Sequence, residues 1–363
     1  MSLRRELFDI LPVHAFFLEH ILLNPHFLQY PPSDQYQKTF WKWAIYHLEN
    51  MAPIEDFEID PRIYQHYLTW LPSSGLSPGS ARPDHRDELC PQGLPLQKPP
   101  APSYVTHFWK PPQATAVQDD QSSLKTIQLN EYETITLLES RTTIESGTTG
   151  LRTWLASFML SQYLTKHSDV LVNKRILELG SGVGFLGIII ARLQQLSSKS
   201  PDAPLPTLWL TDVNETVLSR CQDNVRMSCN RSSSSSNINY RLIDWTDSQH
   251  FERVVPLRSL IQHEINADLI LGADIIFDPS LIPALTGVLH LALQLGHSAS
   301  PKTALIAATV RNEQTLDLFL HAAQEQGLQV RELSKEADQT AFMQEIDSDA
   351  GESVKIFHIT TGT

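Results

Sequence analysis

Four apolar runs beyond residue 170 of this sequence carry an acidic side chain at or beside their ends. ILELGSGVG, residues 176–184, carries Glu178 two places ahead of Gly180. LWLTD ends on Asp212, RLID on Asp244 with Trp245 next to it, and DLILGAD on Ala273-Asp274, with Phe277 three places later. Short apolar runs bounded by glycine or polar clusters read as buried strands. Helical patterns fill the gaps, so each acid falls at the carboxyl end of a strand in a repeating strand–helix succession. Ligands of open parallel sheets bind in the crevice beyond those ends. Carboxylates converging there suit a ligand with positive charge and several hydrogen-bond donors, and they repel a pyrophosphate.

The glycine loop narrows the choice. A glycine-rich turn between strand and helix lets a ligand approach the backbone, and the helix N-terminus presents free N–H groups. Gly180, Gly182 and Gly184 give GxGxG. The dinucleotide fingerprint is GxGxxG, with glycine or alanine where Phe185 stands and an apolar residue in the place of Glu178. S-adenosylmethionine has the matching chemistry: a sulfonium, an ammonium group and a ribose diol. In such a site Glu178 faces it at the strand end, and Asp212 accepts from both ribose hydroxyls. Asp244 accepts from the adenine amino group while Trp245 covers the base. An acid ending the second strand equally suits NAD, so Asp212 alone does not discriminate. Ala273-Asp274 falls beside the place of the reacting methyl, which makes Asp274 the candidate contact for the incoming nucleophile. Each residue has a plainer alternative: a helix cap for Asp212, packing for Trp245, an acceptor for nearby backbone N–H groups for Asp274. No GxxxxGK[ST], HExxH, CxxC or GxSxG pattern occurs, so neither an ATPase-type phosphate loop, a metal site nor a nucleophile elbow is expected.

The elements that must hold these residues are legible in outline. Seven strands are predicted, at 175–179, 207–211, 238–243, 268–273, 303–310, 327–333 and 353–360, giving an α/β fold with a mostly parallel, Rossmann-like seven-strand sheet. Asp278-Pro279 predicts a capped helix start, Asn312 caps another helix, and Gly327 closes it. Residues 1–71 show apolar and aromatic residues at mostly helical spacing, interrupted by prolines, and predict an N-terminal helical region. Ten of the 23 prolines fall in 72–112, which reads as a linker or wrapping segment. Residues 113–363 make up the remaining domain. It is predicted to begin with a short β-hairpin of Lys125–Leu129 and Thr134–Glu139. SSKSPDAPLP at 197–206 and RSSSSSN at 231–237 read as flexible, exposed loops.

The totals exclude several classes. With 363 residues the chain has enough apolar content for a large core, and its formal net charge of −13 argues against sequence-independent nucleic-acid binding and anionic membranes. Cys90, Cys221 and Cys229 do not form a disulfide framework, and Cys221 and Cys229 read as packing residues of a helix. The N-terminal MSLRRELFDILPVHAFF has neither a secretory h-region nor an acid-free presequence, and no apolar run reaches membrane-span length. A cytoplasmic, monomeric protein is the expectation.

Taken together, Glu178–Gly184, Asp212, Asp244-Trp245 and Ala273–Phe277 resemble the seven-strand S-adenosylmethionine-dependent methyltransferases. Upstream, SGTTGLRTWLASFML at 146–160 predicts a helix with Leu151, Trp154, Leu155, Phe158 and Met159 on one face and Thr148 or Thr149 as cap. With that segment the chain resembles family sixteen, a protein-lysine branch. Its GTTGLRTW wording and aromatic N-terminal region are similar to the eukaryotic elongation factor 2 lysine methyltransferases. The resemblance implies a fold of that class and cofactor contacts from Trp154, Gly180, Ser181, Gly182, Asp212, Trp245 and Ala273. It also implies a protein substrate, elongation factor 2. Family members carry an aspartate followed three residues later by tyrosine. Here Asp274 and Phe277 stand in those places, so the aromatic wall is kept and the hydroxyl is lost. The alternatives are a methyltransferase of another protein or of a small molecule, a non-catalytic interaction module that keeps the fold, and an NAD oxidoreductase, which Glu178 and Phe185 disfavour.

Overall fold

A computed structural model describes residues 10–50, 58–71, 100–112, 131–198, 200, 204–294, 301–333, 341–343 and 353–362. They fall into two units, Met1–Val105 and Thr106–Thr363. In the first, α1 (Ile10–Ala15) runs into a π-helical turn at Phe16–Leu22, followed by α2 (Pro25–Gln29), α3 (Asp34–Asn50) and α4 (Pro61–Thr69). The prolines punctuate this unit as expected: Pro25 and Pro61 sit in first turns, behind caps by the side chains of Asn24 and Asp60. Phe17, Leu22, Trp41, Ala44, Ile45, Leu48 and Ile63 form its core, with Phe40 packed against it, while Phe16, Trp43 and Tyr46 are exposed.

Next in the chain is a two-strand sheet of β1 (Ser103–Trp109) and β2 (Glu133–Glu139). Here the structure corrects the sequence. The partner of β2 is SYVTHFW, a run of β-formers that the surrounding prolines had placed inside the linker; Lys125–Leu129 lies outside the described residues. Next come α5 (Leu155–Lys166), β3 (Ile176–Leu179), α6 (Phe185–Ser197), β4 (Leu208–Asp212), α7 (Glu215–Val225) and β5 (Ile238–Leu242). They are followed by α8 (Phe251–Ser259), β6 (Leu269–Ala273), α9 (Ile282–Leu293), β7 (Thr303–Val310), α10 (Glu313–Glu325), β8 (Leu328–Glu332) and β9 (Ser353–Thr361). The seven-strand sheet has the order β5-β4-β3-β6-β7-β9-β8, with β9 antiparallel to both neighbours and the others parallel. The chain therefore reverses its direction of winding between β3 and β6. That is the switch point where such sheets open a crevice.

The sheet is buried on both faces, which is why its strands read as continuous apolar runs rather than alternating ones. Side chains still alternate between two core layers. Ile176, Leu208, Leu210, Leu271 and Leu305 pack with α5, α6 and Cys221 of α7, while Leu177, Leu179, Ile270, Ala304 and Ile306 pack with α9 and α10. Phe185, where a dinucleotide fold would need a small residue, packs 4.5 Å from Phe158 and 5.4 Å from His107, centroid to centroid, and joins α6 to α5.

The serine run at 231–237 is not a loose excursion. Arg231–Ser234 forms a short 3-10 turn in which the buried Ser232 hydroxyl donates to the Val225 carbonyl, one of the last in α7. The Asn230 side chain ahead of it accepts from the Thr136 N–H (2.9 Å) and donates to the Thr136 carbonyl (2.8 Å). It thus replaces a neighbouring strand for β2. Asn224 of α7 adds a third bond, accepting from the Leu138 N–H at 2.9 Å. These amides fix the strand that leads into the segment before α5.

Candidate active site

The glycine loop joins β3 to α6. Gly180 and Gly182 have φ of +66° and +53°, a region that L side chains avoid. A Cβ on Gly180 would stand 2.9 Å from Ile275 Cγ2, and one on Gly182 would stand 3.1 Å from the Gly150 carbonyl oxygen. The loop is tied to β4. The Ser181 N–H donates to the Thr211 carbonyl (2.7 Å), the Thr211 N–H donates to Ser181 Oγ (2.9 Å), and Thr211 Oγ1 donates to the Glu178 carbonyl (2.6 Å).

One cavity opens at the carboxyl edge of the sheet. Its walls include Trp154, Gly180, Ser181, Gly182, Asp212, Asp244, Trp245, Ala273, Asp274 and Phe277, so ten of the candidate residues share one hollow. Asp212 ends β4. It accepts from the Asn214 N–H (3.0 Å) and, at 3.4 Å, from the Gly182 N–H, and burial raises its pKa. It is not the helix cap: Asn214 caps α7. Asp244 spends Oδ1 on the N–H and hydroxyl of Thr246, at 2.9 and 2.6 Å, which leaves Oδ2 for a ligand. Trp245 lies over the loop, 3.6 Å from where a Gly180 Cβ would be. Phe277 is 48 % exposed at the cavity wall.

Glu178 is the exception. The structure corrects its predicted place in the crevice, because the strand period puts Leu177 and Leu179 in one core layer and Glu178, with Ile176, in the other. It is 2 % exposed beneath the loop, where a Cβ on Gly187 would come 3.3 Å from its Oε2. Among the described residues that oxygen has no hydrogen-bond partner. Burial first, and then the charge of Asp212, push the Glu178 carboxyl up to about 8. The folded chain therefore keeps a proton that the unfolded chain, at about 4.5, gives up. Without ligand, stability should fall as pH rises from about 4.5 through about 8, and Asp212 adds to the slope with the same sign. Thermal melts of Glu178→Gln across that window should show a flatter profile than wild type; identical slopes would remove Glu178 as the source.

Two further corrections concern the segment before α5. The helix starts only at Leu155, Trp154 is its N-cap residue without a side-chain cap bond, and Leu151 and Trp154 stand outside the helix. Thr148 and Thr149 do not cap it. Thr148 Oγ1 accepts from the Gly150 N–H, and the Thr149 carbonyl accepts from Trp154 Nε1 at 3.0 Å. These bonds hold the Trp154 ring against the cavity.

Arginines are what the sequence reading missed. Asp274 has φ +59°, is 8 % exposed, and accepts from the Thr309 N–H at 3.1 Å and from Arg311 through Nη1 (3.2 Å) and Nη2 (2.9 Å). The Arg311 guanidinium carbon also lies 5.1 Å from the Trp154 ring centroid, and that of Arg152 lies 5.1 Å from it too. Arg311 follows the end of β7, so the strand-end rule that found the acids would have found it as well.

The residues present fit a cationic nucleoside: carboxylates on two successive strand ends, an aromatic cover and a close-approach glycine loop. Fold and site are of the kind that S-adenosylmethionine-dependent methyltransferases have. The profile of the lysine methyltransferase family matches residues 132–326, more than half of the chain, and the chain belongs to that family. It is 34% identical over 203 residues to protein-lysine N-methyltransferase EFM3 of Chaetomium thermophilum, covering 54% of this chain and 53% of that one. It is 30% identical over 199 residues to protein-lysine N-methyltransferase EEF2KMT of Homo sapiens (51% and 53% covered) and 27% identical over 202 residues to the Bos taurus protein of that name (52% and 55%). The chain spans about half the length of the curated relatives it matches.

Proposed function

We propose that the chain is a cytoplasmic protein-lysine N-methyltransferase acting on a lysine of elongation factor 2. The observation that carries the activity is the meeting of four strand ends, β3 to β6, in one hollow with Asp274 and Phe277 at its rim. The substrate rests on the GTTGLRTW segment and on the relatives' names. A formal net charge of −13 suits a basic, RNA-handling partner.

S-adenosylmethionine, when bound, supplies an electrophilic methyl group. Asp212 and Asp244 would hold its ribose and adenine, Trp245 and Trp154 would cover it, and Gly180–Gly182 would let it approach the backbone. The chain's remaining task is the amine. A free lysine has a pKa of about 10.4, so neutralising it near pH 7 costs roughly 4–5 kcal/mol. The partly exposed Phe277 offers an apolar wall along which the lysine stem desolvates, which lowers that cost. Asp274 accepts a hydrogen bond from the amine and aligns it, and the proton leaves to water. The rest of the rate comes from positioning.

In cells lacking this protein, peptide mass analysis of elongation factor 2 should show one lysine that has lost its methylene-sized mass increments. Unchanged methylation of every lysine would remove elongation factor 2 as the substrate.

A further inference from the structure

A bare carboxylate beside a target lysine is a poor arrangement for methyl transfer. It stabilises the ammonium form, which has no lone pair to attack with. The environment of Asp274 answers this difficulty. Its side chain is 4% exposed and is gripped by both terminal nitrogens of Arg311, with the Thr309 N–H as a third donor. Arg311 in turn lies over Trp154, a wall of the same cavity.

We propose that Arg311 is a positioning residue that turns Asp274 from an ammonium trap into a neutral-pair acceptor for the uncharged amine. The inference rests on the lysine-methyltransferase reading above. A bidentate arginine–carboxylate pair has no net charge, fixes the carboxylate plane, and leaves lone pairs for a further donor. Its guanidinium, close to the arriving amine, disfavours a second positive charge there. The other charged groups on the cavity wall are Arg152, from the segment before α5, with the same sign of effect, and Asp212 and Asp244 at the ends of β4 and β5. Glu178 lies beneath the loop and Glu139 beneath Thr153, which donates to it at 2.5 Å. Burial raises the pKa of both carboxyls. Arg152 thus stands on the cavity wall, Arg311 lies behind it over the Trp154 ring and on Asp274, and two carboxylates stand at the ends of β4 and β5.

The test is the pH dependence of kcat under saturating cofactor and substrate protein, which reports the pKa of the bound amine. Arg311→Met should move the acid limb upward by about one to two pH units, so that activity lost at neutral pH returns in alkali. Arg311→Lys should keep the limb near its wild-type position and lower kcat evenly, because the charge remains and the bidentate geometry does not. The double variant Asp274→Asn, Arg311→Met removes both charges and should bring the limb back to the wild-type pH at reduced kcat; it carries the comparison if Arg311→Met does not fold. Calorimetric affinity for S-adenosylhomocysteine, unchanged within a few-fold, shows that the cofactor pocket persists. A limb that stays put in Arg311→Met, or one that the double variant fails to restore, overturns the inference. Absence of lysine methylation by wild type at any pH would instead sink the proposed function, a separate result.

Discussion

Asp274→Ala should lower kcat by about 10²-fold or more while S-adenosylhomocysteine affinity stays within a few-fold of wild type. Three consequences of one deletion add together. The amine loses its acceptor, so its alignment is left to the apolar wall. The Arg311 guanidinium loses the carboxylate that held it at 2.9 and 3.2 Å, and the bidentate pair that would receive the amine is gone. The Thr309 N–H, in a residue 3 % exposed, loses its acceptor as well. The stability cost should nevertheless be modest, about 1–3 kcal/mol, because the arginine side chain is 36% exposed and can turn to water. Single-turnover methyl transfer, with melting temperature as control, separates these effects. Wild-type turnover in folded Asp274→Ala would remove the residue from the chemistry.

Asp212→Ala should fail in the opposite way. Two charge-assisted hydrogen bonds to a ribose diol contribute about 1.5–3 kcal/mol each, so cofactor affinity should drop by roughly 10²-fold or more, with much of kcat recovered at saturation. The same substitution takes away the second cause of the raised Glu178 pKa. The carboxyl should then titrate below its present value of about 8, and the window in which stability falls with pH should narrow from its upper end. A cofactor affinity close to that of wild type would show that Asp212 serves the loop, through Gly182 and Asn214, rather than the ligand.

The sheet could be read from the sequence because buried parallel strands are the longest uninterrupted apolar runs in such a fold, and all seven appear within a residue of their predicted bounds. The strand-end rule brought Asp212, Asp244 and Asp274 to one hollow for the same reason. It failed for Glu178, where the two-residue alternation of β3 overrides the position near the strand end; counting from Leu177 and Leu179 would have shown it. Arg311 was missed because only acids were sought at strand ends, although it follows β7 as directly as Asp274 follows β6. Composition misled twice. Proline density hid the strand at 103–109, and a run of serines suggested solvent where Asn230 and Ser232 satisfy buried backbone groups. Both errors come from averaging over a window when single side-chain hydrogen bonds decide.

The most direct measurement is a calorimetric titration of the purified chain with S-adenosylhomocysteine and, separately, with NAD. One saturable site for the first, greatly weakened in Asp212→Ala, and no heat from the second is the expected result. Saturable NAD binding without S-adenosylhomocysteine binding would mean that the acids at these strand ends receive a different ligand.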